Sequence, residues 1–217
     1  MRYDAVMFDL DGTLADTLAD LAAAGNHAMA AVGRPTYTTE QYKTLVGQGL
    51  PRLIEDALGP GHQDLYDEAI AHFRGHYAEH RYDHCRPYPG VAELLDTLSG
   101  AGVTLAVMSN KPDEATVDMV RRVFGAWDFA AVRGHRPGTP PKPDPRAALE
   151  IGDELGHPPE RWAYVGDSDV DMHTGRSAGF FTVGVTWGFR SERELRDAGA
   201  HALIHRPAEL PPLLGLR

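Results

Sequence analysis

The stretch that decides the fold is residues 5–14, AVMFDLDGTL. Four apolar residues are followed at once by two aspartates, Asp9 and Asp11, around a leucine, and then by Gly12. A short, continuous apolar run is typical of a strand buried on both faces of a parallel sheet. Ligands bind at the carboxyl ends of such strands, so both carboxylates lie where chemistry is expected. The alternative is an aspartate-rich turn without a catalytic role.

Further strand-like runs follow along the chain, and helical patterns lie between them. The runs are residues 103–108, 162–165, 181–185 and 202–204. Apolar residues spaced by three and four form two of the helical patterns, at Val91, Leu94, Leu95 and Leu98 and at Val117, Val120, Val123 and Phe124. This alternation predicts an α/β fold with a doubly wound parallel sheet.

One section, residues 16–86, breaks the alternation and contains only helical patterns. Its clearest feature is an amphipathic stripe of Tyr66, Ala69, Ile70, Phe73 and Tyr77. The section ends at residues 86–90, RPYPG, a proline- and glycine-rich run typical of a boundary. We therefore expect a core made of residues 1–15 and 87–217, with a helical cap at residues 16–86.

The composition excludes several classes of function. The chain of 217 residues carries a formal net charge of −10, which argues against a broad surface for nucleic acid or anionic membranes. A single cysteine, Cys85, excludes an internal disulfide and fits a reducing compartment. No apolar run approaches the ~18 residues of a membrane span, and residues 1–4 lead straight into the first strand. We expect a cytoplasmic monomer or homodimer that binds neither nucleic acid nor membrane.

Polar residues also follow two other strand runs. Ser109 and Asn110 follow the second run, where a hydroxyl before a helix suits anion binding, although an ordinary helix cap explains the serine as well. After residues 162–165 come Gly166 and the acids Asp167, Asp169 and Asp171, which exceed what one helix cap needs. Their mutual repulsion favours a bound cation, and carboxylate oxygens suit Mg²⁺.

Lysine is rare in this chain, which favours a functional role for each of the few lysines present. Only Lys43, Lys111 and Lys142 are lysines among 21 basic residues. Lys142 lies in the proline-rich loop 140–145, PPKPDP, where a solvated loop lysine is the alternative interpretation. Acids, a hydroxyl, an ammonium group and Mg²⁺ at one edge of a sheet together predict a site for a phosphoryl group.

The ordered motifs resemble those of the haloacid dehalogenase superfamily over almost the whole chain. The matching runs are DLDGT at 9–13, SNK at 109–111, KPDP at 142–145 and GDS at 166–168, with Asp171 four residues after Asp167. Within the superfamily, the runs 108–112 and 164–168 are most similar to those of phosphoglycolate phosphatases. The resemblance implies a Mg²⁺-dependent phosphatase that acts on a small phosphorylated metabolite through an aspartyl-phosphate.

The resemblance also implies a role for each matching residue. Asp9 is the expected nucleophile, and Asp11 the general acid and base. The implied metal ligands are Asp9, the main-chain carbonyl of Asp11, and Asp167, with Asp171 and Ser168 supporting them. The residues expected to contact the phosphate are Thr13, Ser109, Asn110 and Lys142.

Other functions stay open at this point. A capped pyrophosphatase or a sugar-phosphate mutase would share Asp9 and Asp11. A phosphonate hydrolase would need a cap lysine, and Lys43 is the only one. A hydrolytic dehalogenase would not need Asp11 and Asp167 around a metal. A phospho-acceptor regulatory module belongs to another class, but it would be shorter and would not need Asp11.

Three features of the cap have both a functional and a structural interpretation. Residues 47–49, GQG, form either a substrate-facing loop or a helix–helix turn. Arg52 either binds a substrate carboxylate or is solvated. The histidines His72, His76, His80 and His84 recur every four residues, so they are either metal ligands or one exposed helix face.

Overall fold

The computed structural model describes residues 2–216, so residues 1 and 217 of the predicted core lie outside the described part. The strands are β1 (Ala5–Phe8), β2 (Ala15–Asp16), β3 (Arg86–Pro87), β4 (Thr104–Pro112), β5 (Ala131–His135), β6 (Trp162–Gly166), β7 (Phe181–Val185) and β8 (Ala202–Ile204). The α-helices are α1 (Leu18–Ala31), α2 (Thr39–Leu45), α3 (Leu50–Leu58), α4 (Tyr66–His80), α5 (Val91–Gly100), α6 (Asp113–Val123), α7 (Arg146–Glu154), α8 (Asp169–Ser177), α9 (Glu192–Asp197) and α10 (Leu210–Leu213). Short 3₁₀ turns lie at Gln63–Leu65, Pro159–Arg161 and Pro207–Glu209.

Six strands form one parallel sheet in the order β5-β4-β1-β6-β7-β8. The order reverses between β4 and β6 around β1, so the doubly wound α/β fold predicted from the sequence is confirmed. Our strand assignment missed β5, in which the charged Arg133 and His135 interrupt the apolar pattern. It also ended the second strand too early, because β4 continues through residues 109–112.

Both faces of the sheet are buried, which explains the continuous apolar runs. Along β1, Val6 and Phe8 pack into the hydrophobic cluster on one face. Ala5 and Met7 point to the opposite face and join a second cluster there. Our assignment of Val117 to the buried stripe of its helix was wrong: it is 43% exposed, and Thr116, Met119 and Val120 are the residues of α6 that are buried.

Between β2 and β3 the chain forms the helices α1–α4, which pack around their own apolar cluster. From the predicted stripe of α4, Ala69, Phe73 and Tyr77 are buried in that cluster. The two-residue strands β2 and β3 pair in antiparallel fashion, Ala15 with Pro87 and Asp16 with Arg86. This ribbon lies where we predict the boundary between core and cap. Within residues 2–216, no helix is both long and apolar enough to cross a membrane.

Candidate active site

The carboxyl ends of β1, β4 and β6, which are neighbours in the sheet, bring the predicted polar residues together. Asp9 directly follows β1, and its N–H donates to the carbonyl of Val165 in β6 at 2.9 Å. Ser109 lies in the last part of β4, and Asp167 directly follows β6. All three side chains belong to residues that are buried.

Lys142 connects two of these strand ends through its ammonium group. Its Nζ donates to Asp9 Oδ1 at 2.7 Å and to Asp171 Oδ1 at 2.6 Å. Burial lowers the pKa of Lys142, but the adjacent Asp171 and Asp9 carboxylates outweigh that effect and raise it well above its usual value. Lys142 is therefore a buried, permanent positive charge that contacts two acids.

Two hydrogen bonds hold the carboxylate of Asp167 in place. Its carboxylate accepts hydrogen bonds from Thr13 Oγ1 at 3.2 Å and from the Phe189 N–H at 2.7 Å. Gly12, at a positive φ of 86°, allows the turn that brings Thr13 close. A Cβ atom at Gly12 would overlap the Asp167 carboxylate, so this glycine is needed for space as well as for its backbone conformation.

Asp171 and Ser168 form a reciprocal cap at the start of α8. Ser168 donates from its N–H and its Oγ to Asp171 Oδ2, at 3.1 and 2.6 Å, and the Asp171 N–H donates back to Ser168 Oγ at 3.3 Å. Asp171 thus caps the helix with one carboxylate oxygen and contacts Lys142 with the other. Asp169 does not join the group: its side chain is 46% exposed and lies 3.7 Å from Arg190.

Ser109 and Asn110 differ in how they are engaged. Ser109 Oγ is buried and accepts from the Lys111 N–H at 3.2 Å. The Asn110 side chain is committed to main-chain groups: it donates to the carbonyls of Gly47 and Lys142, both at 3.1 Å, and accepts from the Lys142 N–H at 2.8 Å. Asn110 therefore fixes the backbone that carries Lys142.

Asp11 points toward the cap. Both of its carboxylate oxygens accept from Lys111 Nζ at 3.0 Å, and Oδ1 also accepts from Thr17 at 2.7 Å. The same ammonium group donates to Tyr77 Oη of α4 at 2.7 Å. We had placed Lys111 in a motif but assigned it no role; its rarity and its position two residues after Ser109 were the available signals.

The carboxyl groups of Asp9, Asp167 and Asp171 each offer an oxygen within 4.8 Å of the others. Burial, which Lys142 opposes and Asp171 reinforces, raises the pKa of Asp9 to about 7. Burial and the charges of Asp171 and Asp9 also raise the pKa of Asp167 well above its usual value. One ammonium group leaves this acid cluster with excess negative charge, and its all-oxygen donor set fits a hard divalent cation such as Mg²⁺.

Two adjoining cavities open at this edge of the sheet. A small one, about 40 Å³, is lined by Asp9, Ser109 and Asp167 among others. A larger one, about 460 Å³, lies under the cap and is lined mainly by apolar side chains, with Tyr77 and Arg74 on its wall. Asp11 and Lys111 border both cavities, so they stand between the acid cluster and the space beneath the cap.

A pair of core residues after β7 reaches into the cap. The Phe189 ring packs in the hydrophobic cluster of the cap, while its N–H binds Asp167. The guanidinium of Arg190 is nearly buried and donates to the carbonyls of Lys43 and, at 2.9 Å, of Val46. Sequence reasoning missed both residues, because they follow no motif.

The two cap residues singled out from the sequence have different positions. Gly47, between α2 and α3, lines both cavities and accepts from Asn110, so this turn does face the cleft. Arg52 lies elsewhere, 2.9 Å from Asp56 on the same helix face and half exposed. It does not line the cleft, and the interpretation as a solvated arginine fits its surroundings.

The chain is similar to known proteins over most of its length. The sequence pattern of the haloacid dehalogenase-like hydrolase family matches residues 6–185. A phosphoglycolate phosphatase of Agrobacterium fabrum is 37% identical over 187 residues, 84% of this chain and 80% of that protein. A phosphoglycolate phosphatase of Thiobacillus denitrificans is 34% identical over 212 residues, 94% and 92% of the two chains. A solved structure from Lactobacillus delbrueckii has a TM-score of 0.90 and 33% identity, and covers 99% of each chain.

Proposed function

This chain belongs to the haloacid dehalogenase-like hydrolase family, and we propose that it removes the phosphoryl group from phosphoglycolate or a similarly small phosphorylated acid. The chain is a phosphatase, as its family and its relatives named phosphoglycolate phosphatase indicate. The observation that carries the assignment is the buried Asp9 carboxylate, held by Lys142 beside Asp167 and Asp171. Asp11 stands two residues further on, between that cluster and the cavity under the cap.

Mg²⁺ is the cofactor that fits the acid cluster. Asp9, Asp167 and the main-chain carbonyl of Asp11 would hold it, and Asp171 and Ser168 would keep the neighbouring carboxylates in place. When bound, Mg²⁺ offsets the negative charge of the carboxylates and of the phosphate.

The reaction takes two steps at the side chains of this chain. Asp9 Oδ attacks phosphorus and the bond from phosphorus to the ester oxygen breaks. Asp11 gives a proton to that leaving oxygen, so it first takes up a proton and releases its ion pair with Lys111. Asp11, now a carboxylate, then takes a proton from a water molecule that attacks the aspartyl-phosphate. Inorganic phosphate leaves and Asp9 is regenerated. Ser109 contributes a hydroxyl group near the phosphate, and Lys142 balances its charge. Thr13, which we expected to contact the phosphate, donates to Asp167 and so keeps that carboxylate in place.

The cavity under the cap gives a place for the rest of the substrate. Asp11 borders that cavity, so a leaving oxygen at its mouth lies within reach of the general acid. The buried ammonium group of Lys111 lies at the same border, and once Asp11 is protonated its charge is available to a substrate carboxylate. Phosphoglycolate carries a phosphate and a carboxylate one carbon apart, and the relatives that bear its name make it the first substrate to test.

A panel of small phosphate esters tests the assignment. We expect kcat/KM in Mg²⁺ to be highest for phosphoglycolate and to fall for neutral or bulky esters and for pyrophosphate. D9N should lose turnover by at least ~10³-fold, since it removes the nucleophile. D169N, the same change on the exposed neighbour of the cluster, should keep it. Hydrolysis by D9N at the wild-type rate would refute Asp9 as nucleophile. A higher kcat/KM for pyrophosphate than for phosphoglycolate would refute phosphoglycolate as the substrate.

A further inference from the structure

A row of histidines joins two helices of the cap outside the cleft. His72 and His76 lie on α4, and His27 lies on α1, the helix packed against it. The ring centre of His27 is 5.9 Å from that of His72 and 4.6 Å from that of His76. None of these residues lines either cavity of the active site.

The histidines of this row are not all among those that the four-residue spacing in the sequence predicts. His84 follows the end of α4, and its ring lies 2.9 Å from Asp20, so it does not belong to the row. His27, which no spacing rule connects to α4, takes its place. The row is therefore a tertiary feature that links two helices.

The separations between the ring centres are compatible with ligands of one ion once the rings have turned. Residues four apart, such as His72 and His76, share one face of a helix, and two imidazoles so placed are a frequent metal-binding pair. With bonds of about 2.1 Å and tetrahedral angles, the ring centres of two imidazoles on one zinc ion lie roughly 5 Å apart. The two separations from His27 bracket that value.

His76 also carries an unexplained polar atom. Its Nδ1 is buried and has no hydrogen-bond partner within the described part of the chain. Buried nitrogen atoms are normally paired, because an unpaired one costs free energy. Burial, reinforced by His27 and His80, lowers the pKa of His76 and so favours the neutral imidazole that binds metals.

We propose that His27, His72 and His76 bind one divalent transition-metal ion of the kind that prefers imidazole, such as Zn²⁺, and that this ion links α1 to α4. Across residues 2–216, the acid cluster is the one group of ligand atoms already gathered within 4.8 Å. Binding therefore requires the exposed ring of His27 and the half-exposed ring of His72, whose Nε2 lies 4.0 Å from Glu68 Oε1, to turn toward His76. The two sites prefer different metals, since imidazole suits Zn²⁺ and carboxylates suit Mg²⁺.

His80 provides a matched control on the same helix. Its Nδ1 lies 2.9 Å from Asp83 Oδ2, and it stands two turns from His72, too far for both to bind one ion readily. The proposal therefore assigns it no ligand role, although its ring contacts that of His76 at 4.4 Å.

Calorimetric titration of Zn²⁺ into the full-length protein, in saturating Mg²⁺ and in a D167N background, tests the histidine site apart from the acid cluster. We expect one Zn²⁺ per chain, with the affinity lowered at least ~10-fold by H27N, H72N or H76N and changed no more than about twofold by H80N. In the same D167N background, Zn²⁺ should also raise the Tm of the chain with all histidines and of H80N, but not that of H27N.

Two results would overturn the proposal. Equal Zn²⁺ affinity in H27N and the parent protein would exclude a site that links the helices, and His27 is exposed, so this variant tests the idea even if H76N does not fold. A loss of Zn²⁺ affinity in H80N as large as the loss in H76N would exclude the proposed ligand set. Circular dichroism and Mg²⁺-dependent phosphatase activity, measured in the histidine variants without D167N, verify that each one is folded.

Discussion

At the scale of the residue, Lys142 is the positive charge that keeps the acid cluster together. We expect K142M to lower the free energy of unfolding by ~3–5 kcal/mol, because it leaves the buried Asp9 and Asp171 without their cation. Phosphatase activity should fall by at least ~10²-fold. Urea denaturation and steady-state kinetics measure the two effects.

Lys43 offers a control of the same residue type. Its ammonium group pairs with the exposed Glu40 at 3.0 Å on the cap surface. Surface pairs of this kind contribute ~0–1 kcal/mol, so K43M should have little effect on stability. A similar loss of stability in K43M and K142M would contradict the role given to the buried lysine.

Gly12 allows a second prediction at this scale. Both Gly12 and Gly33 have positive φ, at 86° and 68°, so alanine should cost each about 1 kcal/mol of stability through the backbone. Only at Gly12 does the added methyl group meet Asp167; at Gly33 it meets nothing within 4 Å. We expect G12A to lose at least ~10²-fold in Mg²⁺-dependent kcat/KM, and G33A to keep it. Comparable activity of the two variants would show that the space beside Asp167 is not needed.

Most residues of the acid cluster could be identified from the sequence because each directly follows a strand. Asp9 and Asp167 are examples, and their neighbours in the chain formed motifs. The contacts of Asp11 and Asn110 could not be predicted in this way. Lys111 lies 100 residues from Asp11 and comes close to it because β1 and β4 pair in the sheet. Gly47 belongs to the cap and contacts Asn110 only when the cap packs on the core.

At the scale of the element, the segment after β7 ties the cap to the core. Arg190 donates to two carbonyls at the end of α2, beside the turn that lines the cleft. We expect R190A to lower kcat/KM by ~10-fold or more and to speed amide hydrogen exchange at residues 43–49, because buried carbonyls lose their donor.

Arg193, three residues later, is the control for this prediction. Its side chain is 90% exposed and lies 3.6 Å from Asp197. R193A should leave both kcat/KM and the exchange of residues 43–49 unchanged. Exchange that stays slow in R190A would refute the proposed connection.

The elements that sequence patterns identified best were those with one clear periodicity. In the strand β1 every residue is buried, as its continuous apolar run predicts. In the helix α5 the buried residues are spaced by three and four, as its apolar pattern predicts. The strand β5 was missed because it lies at the edge of the sheet, where only Gly134 among its residues is buried. An edge strand needs less apolar surface, so hydrophobic patterning detects it poorly.

At the scale of the whole molecule, the proposed Mg²⁺ site predicts that metal binding and stability are coupled. A ligand that binds only the folded state at 100 times its Kd adds about 2.7 kcal/mol to the free energy of unfolding. We therefore expect Mg²⁺ to raise the Tm of the chelator-treated protein and to restore its phosphatase activity. D167N should show a much smaller rise, since it removes one carboxylate charge from the cluster. The metal assignment would be refuted if neither the Tm nor the activity changed on adding chelator or Mg²⁺.

The ribbon of β2 and β3 joins the helical section to the rest of the chain. It sets the chain entering the helical section beside the chain leaving it, so that Asp16 and Arg86 face each other across about 5 Å. A short turn would close that gap, and a different helical module could be joined through the same two strands. We therefore expect that the helical section between β2 and β3 can be exchanged for another one without moving the acid cluster, which lies at the end of the sheet.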